Sequence, residues 1–230
     1  MMIRILSQKK LSEEELQFLR NHIQFEIEYF DAFYIVYLPV NPEVRAEEDI
    51  LIFTSQHAIL SCTDYISNDF DIYSCICIDG QTKKLAEKKG FNVLFSAESA
   101  SELTELILRN NIRKRYVHLC SNDRLNTIYN FFINHSQYRF KEVIVYEKIM
   151  LYPKVNIQTD ILLVFSPSGV MALEKSNLDK NSVLVICIGK ATCAKALDLG
   201  YKKSIASEKP EVRSMLELLI QSSGFLEDIK

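Results

Sequence analysis

Short apolar runs alternate along the chain with longer amphipathic segments. Runs such as Val183-Leu-Val-Ile-Cys-Ile188 are apolar at every position, the pattern of a strand buried on both faces of a parallel sheet. Their length suits a strand and is too short for a buried helix. Strands are expected at 50–54, 73–78, 91–95, 115–120 and 142–146, with helices opening near Gln56, Thr82, Ala100 and Leu125. A second series places strands at 160–165, 182–188 and 202–206, with helices opening near Gly169, Thr192 and Glu211.

The two series repeat one another. Ile50-Leu-Ile-Phe-Thr-Ser55 aligns with Ile161-Leu-Leu-Val-Phe-Ser166, an offset of 111. Cys77 to Thr82 aligns with Cys187 to Thr192, and Gly90 with Gly200, both at an offset of 110. Several pairs in register within one residue indicate a duplicated unit.

The second copy is short by two strands, and the N-terminus supplies them. Ile3–Leu6 and Phe25–Tyr29 have strand patterns, separated by a helix opening at Ser12-Glu-Glu-Glu15, a capping-box signature. The expected architecture is α/β, two doubly wound parallel-sheet domains with the outer one discontinuous. Residues 1–36 and 149–230 form that outer domain and 37–146 the inserted inner one. The crossings at Phe33–Leu38 and Tyr146–Met150 are extended and rich in Val, Ile and Tyr, and are expected to pair as a two-stranded hinge.

Composition narrows the chemistry. The 230 residues hold only six glycines, and neither a G-x-G-x-x-G nor a Walker-type string occurs, so a Gly-rich phosphate loop is not expected. A net charge of −3 without a basic stripe argues against nucleic acid. No apolar window approaches a membrane span, and the N-terminus lacks the apolar core of a signal peptide. Six cysteines are therefore read as reduced thiols of a cytoplasmic protein. Cys75 and Cys77 fall on one strand face, at a spacing that does not suit a zinc knuckle. Four scattered histidines suggest no metal site. A monomer is expected, since no heptad pattern appears.

In open α/β sheets ligands sit beyond the carboxyl ends of the strands, at helix N-termini. The repeated polar residues fall there: Thr54 and Ser55, Asp79 to Thr82, Ser166, Ser168 and Gly169, and Gly189 to Thr192. Single Ser or Thr caps are ordinary structural devices; recurrence in both copies makes these candidates for binding anions through hydroxyls and free amides. Lys9, Lys10, Arg124 and Lys190 lie near strand ends and add positive charge, while Lys83-Lys84 and Lys88-Lys89 suit a solvated helix face. His57 stands at a helix start, as cap, surface residue or base. No Gly-x-Ser-x-Gly elbow occurs, and spacing suggests no Ser, His and acid grouping.

Phe53-Thr-Ser-Gln-His-Ala-Ile59, Val164-Phe-Ser-Pro-Ser-Gly-Val170, the segment Ile188 to Gly200 and Val145-Tyr146 together resemble the uroporphyrinogen-III synthase family, in order and spacing across nearly the whole chain. The resemblance implies two flavodoxin-like domains and a substrate, hydroxymethylbilane, a linear tetrapyrrole with eight carboxylates bound between the domains without metal or cofactor. The implied reaction, in haem biosynthesis, expels the terminal hydroxyl as water and closes the ring through a spiro intermediate, inverting the last pyrrole.

Tyr146 matches the family's tyrosine at the second crossing, whose implied role is general acid to the leaving hydroxyl. Phenols keep their proton at neutral pH, which suits donation. Thr82 and Thr192 match the paired threonines of the site, and Ser55, Ser166 and Ser168 its rim. Thr54, Gly169 and Lys9 complete the expected substrate-binding set. The chain departs from the family at His57 (usually Asn), Asp79 (usually Gly, with Gly80 taking over the tight turn) and Ser121 (often Gly). A non-catalytic tetrapyrrole or polyanion receptor of the same fold is the alternative. A phosphorelay receiver would need an acidic cluster, and Asp79 alone offers itself.

Overall fold

The computed structural model describes residues 2–63, 65–66, 70–155 and 158–227, with side chains described to residue 223. The chain divides into two compact units, one of residues 1–34 and 150–230, the other of 35–149.

The first unit is built on strands β1 (Ile3–Ser7), β2 (Phe25–Tyr29), β9 (Ile161–Val164), β10 (Leu184–Cys187) and β11 (Lys203–Ala206). All are parallel, in the order β11-β10-β9-β1-β2. Helices α6 (Pro167–Ala172) and α7 (Lys190–Asp198) cover one face; α1 (Glu13–Arg20) and α8 (Val212–Glu227) cover the other. The predicted capping box is complete: Ser12 Oγ accepts from the Glu15 N–H, and the Glu15 carboxylate accepts from the Ser12 N–H.

The second unit carries β3 (Phe33–Tyr37), β4 (Asp49–Phe53), β5 (Ser74–Ile78), β6 (Asn92–Ala97), β7 (Arg115–Ser121) and β8 (Arg139–Met150), in the order β3-β8-β7-β4-β5-β6. Here α2 (Gln56–Cys62) and α3 (Gln81–Lys89) cover one face, α4 (Ala100–Asn110) and α5 (Thr127–Asn134) the other. The central strand β4 is buried at every position. Each of its fully buried Ile and Leu side chains contributes about 1.5–3 kcal/mol. That explains the absence of polar alternation in its sequence.

Chain order within the sheets differs, but the spatial plan is one. Renumbered by unit, the first reads 2-1-3-4-5, the flavodoxin order. The parallel strands of the second read 3-2-1-4-5. Setting β9, β10 and β11 on β4, β5 and β6, and β1 and β2 on β7 and β8, makes them identical. The first unit is the second one entered at a different strand, so its two opening strands come from the N-terminus. Gly90 and Gly200 end α3 and α7 at φ +94° and +90°, the left-handed conformation that a glycine adopts without a Cβ clash.

The predicted crossings are strands, β3 and the end of β8, and they are neighbours in the sheet. Leu38 N–H donates to Val145 C=O and Leu151 N–H to Ala32 C=O, which makes the two segments antiparallel. The strand expected at 142–146 is thus longer, Arg139–Met150, because the inner strand runs on into the crossing. Both Cys75 and Cys77 face the α2/α3 side, as period two requires. All six cysteines are free thiols.

Candidate active site

In each unit the winding direction reverses between two strands, β1 and β9 in the first, β7 and β4 in the second. Their carboxyl ends are where a doubly wound sheet opens to ligand.

At the tip of the first unit, Ser166 caps α6, its Oγ accepting from Gly169 N–H at 3.2 Å. Gln8 lies across this turn, accepting from Phe165 N–H at 2.7 Å and donating to Ser166 Oγ at 2.8 Å. A Cβ on Gly169 would stand 2.0 Å from Gln8 Oε1, so glycine is what lets Gln8 lie there. Ser168 occupies the same first turn. Lys9 is exposed, with Nζ 5.9 Å from the Phe165 ring centre. Lys9, Ser166, Ser168 and Gly169 are thus gathered at one turn.

Thr192 and Thr82 lie in the first turns of α7 and α3, both buried. The caps are Gly189 and Gly80, neither providing a side-chain hydrogen bond, so the first-turn amides have no side chain capping them. Gly80 has φ +79°, and the tight turn does fall one residue after Asp79. Asp79 pairs with Lys83 at 3.8 Å on the surface, a contact worth well under about 1 kcal/mol.

At the switch point of the second unit, Ser55 caps α2, accepting from His57 N–H at 3.2 Å. The His57 ring packs 5.5 Å from that of Tyr146, and its Nδ1 lies 3.0 Å from the Tyr37 hydroxyl. Burial lowers the His57 pKa, so the ring is neutral at pH 7. The Tyr37 phenol is raised by burial and by Tyr146 beside it.

Tyr146 itself is only 8% exposed, seated in the core on the α2/α3 side. A register shift puts it there: Cys120 opposes Ile144, but Ser121 opposes Tyr146. Without the extra residue, period two would turn Tyr146 to the face of Ile144 and away from His57.

The opposite face carries a hydrogen-bonded chain that sequence reasoning missed. Strand pairing sets His118 beside Ile52 of β4 and Glu142 of β8. Thr54 Oγ1 lies 3.3 Å from His118 Nε2, and His118 Nδ1 lies 3.2 Å from Glu142 Oε2. The other Glu142 oxygen accepts from Arg124. Burial would raise the Glu142 pKa, but the hydrogen bonds from His118 and Arg124 prevail and pull it down to about 2. His118, at 1% exposure, is the buried centre of the chain. The sequence signal was a lone His and a lone Glu in apolar runs at strand-compatible positions; 64 residues separate Thr54 from His118.

His118, Cys120 and Glu142 also bring ligand atoms within 4.8 Å of one another. The cation at Glu142 is the Arg124 guanidinium, however, and burial pushes the Cys120 thiol up to about 12. The donor set is organised around a guanidinium and fits a metal poorly. Ser121, the other departure, is buried and donates to Asp123 at 2.6 Å.

Two doubly wound units with polar groups gathered at their switch points define an α/β ligand-binding class. The family described as uroporphyrinogen-III synthase HemD matches residues 39–217, and the chain belongs to that family. Comparison with curated protein sequences gives no match. Among solved structures, the chain is similar to the uroporphyrinogen-III synthetase of Helicobacter pylori 26695. That likeness has 19% identity and a TM-score of 0.71, over 96% of this chain and 99% of that one. A mutant uroporphyrinogen III synthase of the extremely thermophilic bacterium Thermus thermophilus shares 14% identity at a TM-score of 0.62, again over 96% and 99%. Both likenesses establish the fold.

Proposed function

We infer that this protein carries out the reaction of its family, closing hydroxymethylbilane to uroporphyrinogen III with inversion of the terminal pyrrole ring and loss of water, in haem biosynthesis. The observation that carries the reading is the family match, which spans residues 39–217 and so takes in segments of both units.

The chemistry asks for little beyond positioning. Pyrroles attack electrophilic carbon readily, so the catalyst must assist departure of the hydroxyl and hold the chain in the inverted geometry. Tyr146 is the proposed proton donor to the leaving hydroxyl. Its neighbour His57, neutral and bonded to Tyr37, supports that role by keeping a positive charge away from the phenol.

The substrate's carboxylates are assigned to the strand tips. The first-turn amides of α3 and α7 carry no side-chain cap and occupy equivalent places in the repeat. Each helix dipole contact at an exposed site is worth about 0.3–1 kcal/mol, so several must act together. Ser55, Ser166, Ser168 and Lys9 are proposed to add hydroxyl and ammonium contacts, with Gly169 contributing indirectly by leaving room for Gln8 to brace the turn. Thr82 and Thr192 are proposed to act through their backbone amides, since both side chains are buried.

A cytoplasmic monomer is the proposed working state. Six free thiols support a reducing compartment, and among the described residues no helix is long and apolar enough to cross a membrane. Calorimetry run beside a turnover assay tests the enzymatic reading. Consumption of hydroxymethylbilane above the spontaneous rate is expected, and tight binding without consumption would contradict it.

A further inference from the structure

The duplication provides an internal control that separates scaffold from function. Features needed to build the fold recur at the offset of 111, as do the Ser55 and Ser166 caps. The Thr54–His118–Glu142 chain does not recur. The first unit builds the same switch point with Phe165 in the place of Thr54 and Ser7 in that of His118. Tyr29 opposes Ser7 as Glu142 opposes His118. The fold therefore closes this corner without a buried imidazole or carboxylate. Burying both costs desolvation that the sister unit avoids.

The chain has a direction. Glu142 is ionised and can only accept, so the His118 nitrogen facing it, Nδ1, carries a proton. When the ring carries that proton alone, Nε2 is an acceptor and the Thr54 hydroxyl donates to it. A hydroxyl has one proton. With it committed to His118, Thr54 offers the solvent side lone pairs only.

We propose that His118 and Glu142 are positioning residues that hold the Thr54 hydroxyl as an acceptor, and that Thr54 thereby receives a pyrrole N–H of the substrate. This rests on the reading that a linear tetrapyrrole occupies the switch-point rim. It reassigns Thr54 from the carboxylate-binding set, because a lone pair facing a carboxylate is repulsive. The tetrapyrrole carries donors and acids together, and an acceptor-only hydroxyl distinguishes one from the other.

Glu142→Gln tests the proposal with nearly unchanged shape. Its amide oxygen still accepts from Arg124, while its NH₂ donates to His118 Nδ1. The imidazole proton then moves to Nε2, and the Thr54 proton is turned outward. In protein labelled with 15N-histidine, wild type should show His118 protonated at Nδ1 and the variant at Nε2. Glu142→Gln gives up the ion pair to Arg124 and so should melt somewhat below wild type at pH 7; at a temperature where both proteins are fully folded, its turnover efficiency should fall ten- to a hundredfold. Thr54→Val should lose a similar factor, Thr54→Ser should recover most of it, and the Glu142→Gln/Thr54→Val double variant should be no worse than either single.

An Nε2-protonated His118 in wild type would overturn the proposal. So would a tautomer switch that leaves turnover untouched. Should Glu142→Gln fail to fold, Thr54→Val keeps the question open to decision, since it leaves both buried groups in place; unchanged turnover there would overturn the proposal. The tautomer is read without substrate, so failure of the proposal and failure of the assigned reaction give different results.

Discussion

Arg115 grips Asp49 through two parallel hydrogen bonds, Nε to Oδ1 and Nη2 to Oδ2, both 2.7 Å. The chain makes the same pair again in its repeat, Arg4 on Asp160, with both contacts at 3.0 Å. Each pair ties the N-terminal ends of the two switch-point strands together, at the opposite end from the candidate site. It fixes the register that presents Thr54, Ser121, Gln8 and Ser166 at the tips.

Removal of Arg115 is therefore expected to cost more than removal of Arg4. The Asp49 side chain is 1% exposed and that of Asp160 10%, so Arg115→Ala strands the more deeply buried carboxylate. A loss of about 3 kcal/mol is expected for Arg115→Ala, read by urea denaturation. Equal losses for the two variants would contradict this ordering.

Acid should weaken the second unit. Burial acts to raise Asp49, but Arg115 and the Arg45 amide hold it below its ordinary 3.8; Glu142 falls from 4.5 to about 2 against the same opposing burial. Both folded pKa values are depressed, so the stabilisation is complete above about pH 4.5 and is lost as pH falls toward 2. Tm followed from pH 7 to pH 3 should be level and then decline. Glu142→Gln should decline less steeply, and parallel curves would contradict the assignment.

Gly169→Ala should be costly where Gly189→Ala is not. The added methyl at 169 displaces Gln8, breaking its bonds to Phe165 and Ser166, whereas nothing lies within 4 Å of a Cβ at Gly189. About 1–3 kcal/mol is expected at 169, from the hydrogen bonds lost, and little at 189. Thermal denaturation of the two variants checks the contrast.

Tyr146→Phe should lower kcat by one or two decades, about 1.4–2.7 kcal/mol in the barrier, because dehydration also proceeds unaided. The ring still fills its place in the core beside His57, so Tm should hold. Unchanged kcat would leave Tyr146 a packing residue.

Much of this is legible in the sequence because it is local or periodic. Apolar runs of strand length place β4 and β10, Ser12 and Glu15 announce α1, and the 111-residue offset reveals the duplication before any strand order is known. Helix starts drift by a residue or two where caps are weak: α5 opens at Thr127 and its Asn126 cap makes no side-chain bond. The missing information is lateral. Thr54, His118 and Glu142 meet only because β4, β7 and β8 are neighbours in a fixed register, and no spacing along the chain records that adjacency. Resemblance singles out Tyr146, yet the facing that puts it beside His57 depends on a one-residue bulge against Ser121, which composition does not signal.

Control over which ring isomer forms separates an enzyme of this family from spontaneous closure, and product composition measures that control. Hydroxymethylbilane should be supplied in large excess over the protein, and the oxidised products separated by isomer. Uroporphyrinogen III is expected as nearly all of the product, formed faster than spontaneous closure. Type I isomer alone, accumulating at the rate seen without protein, would contradict it.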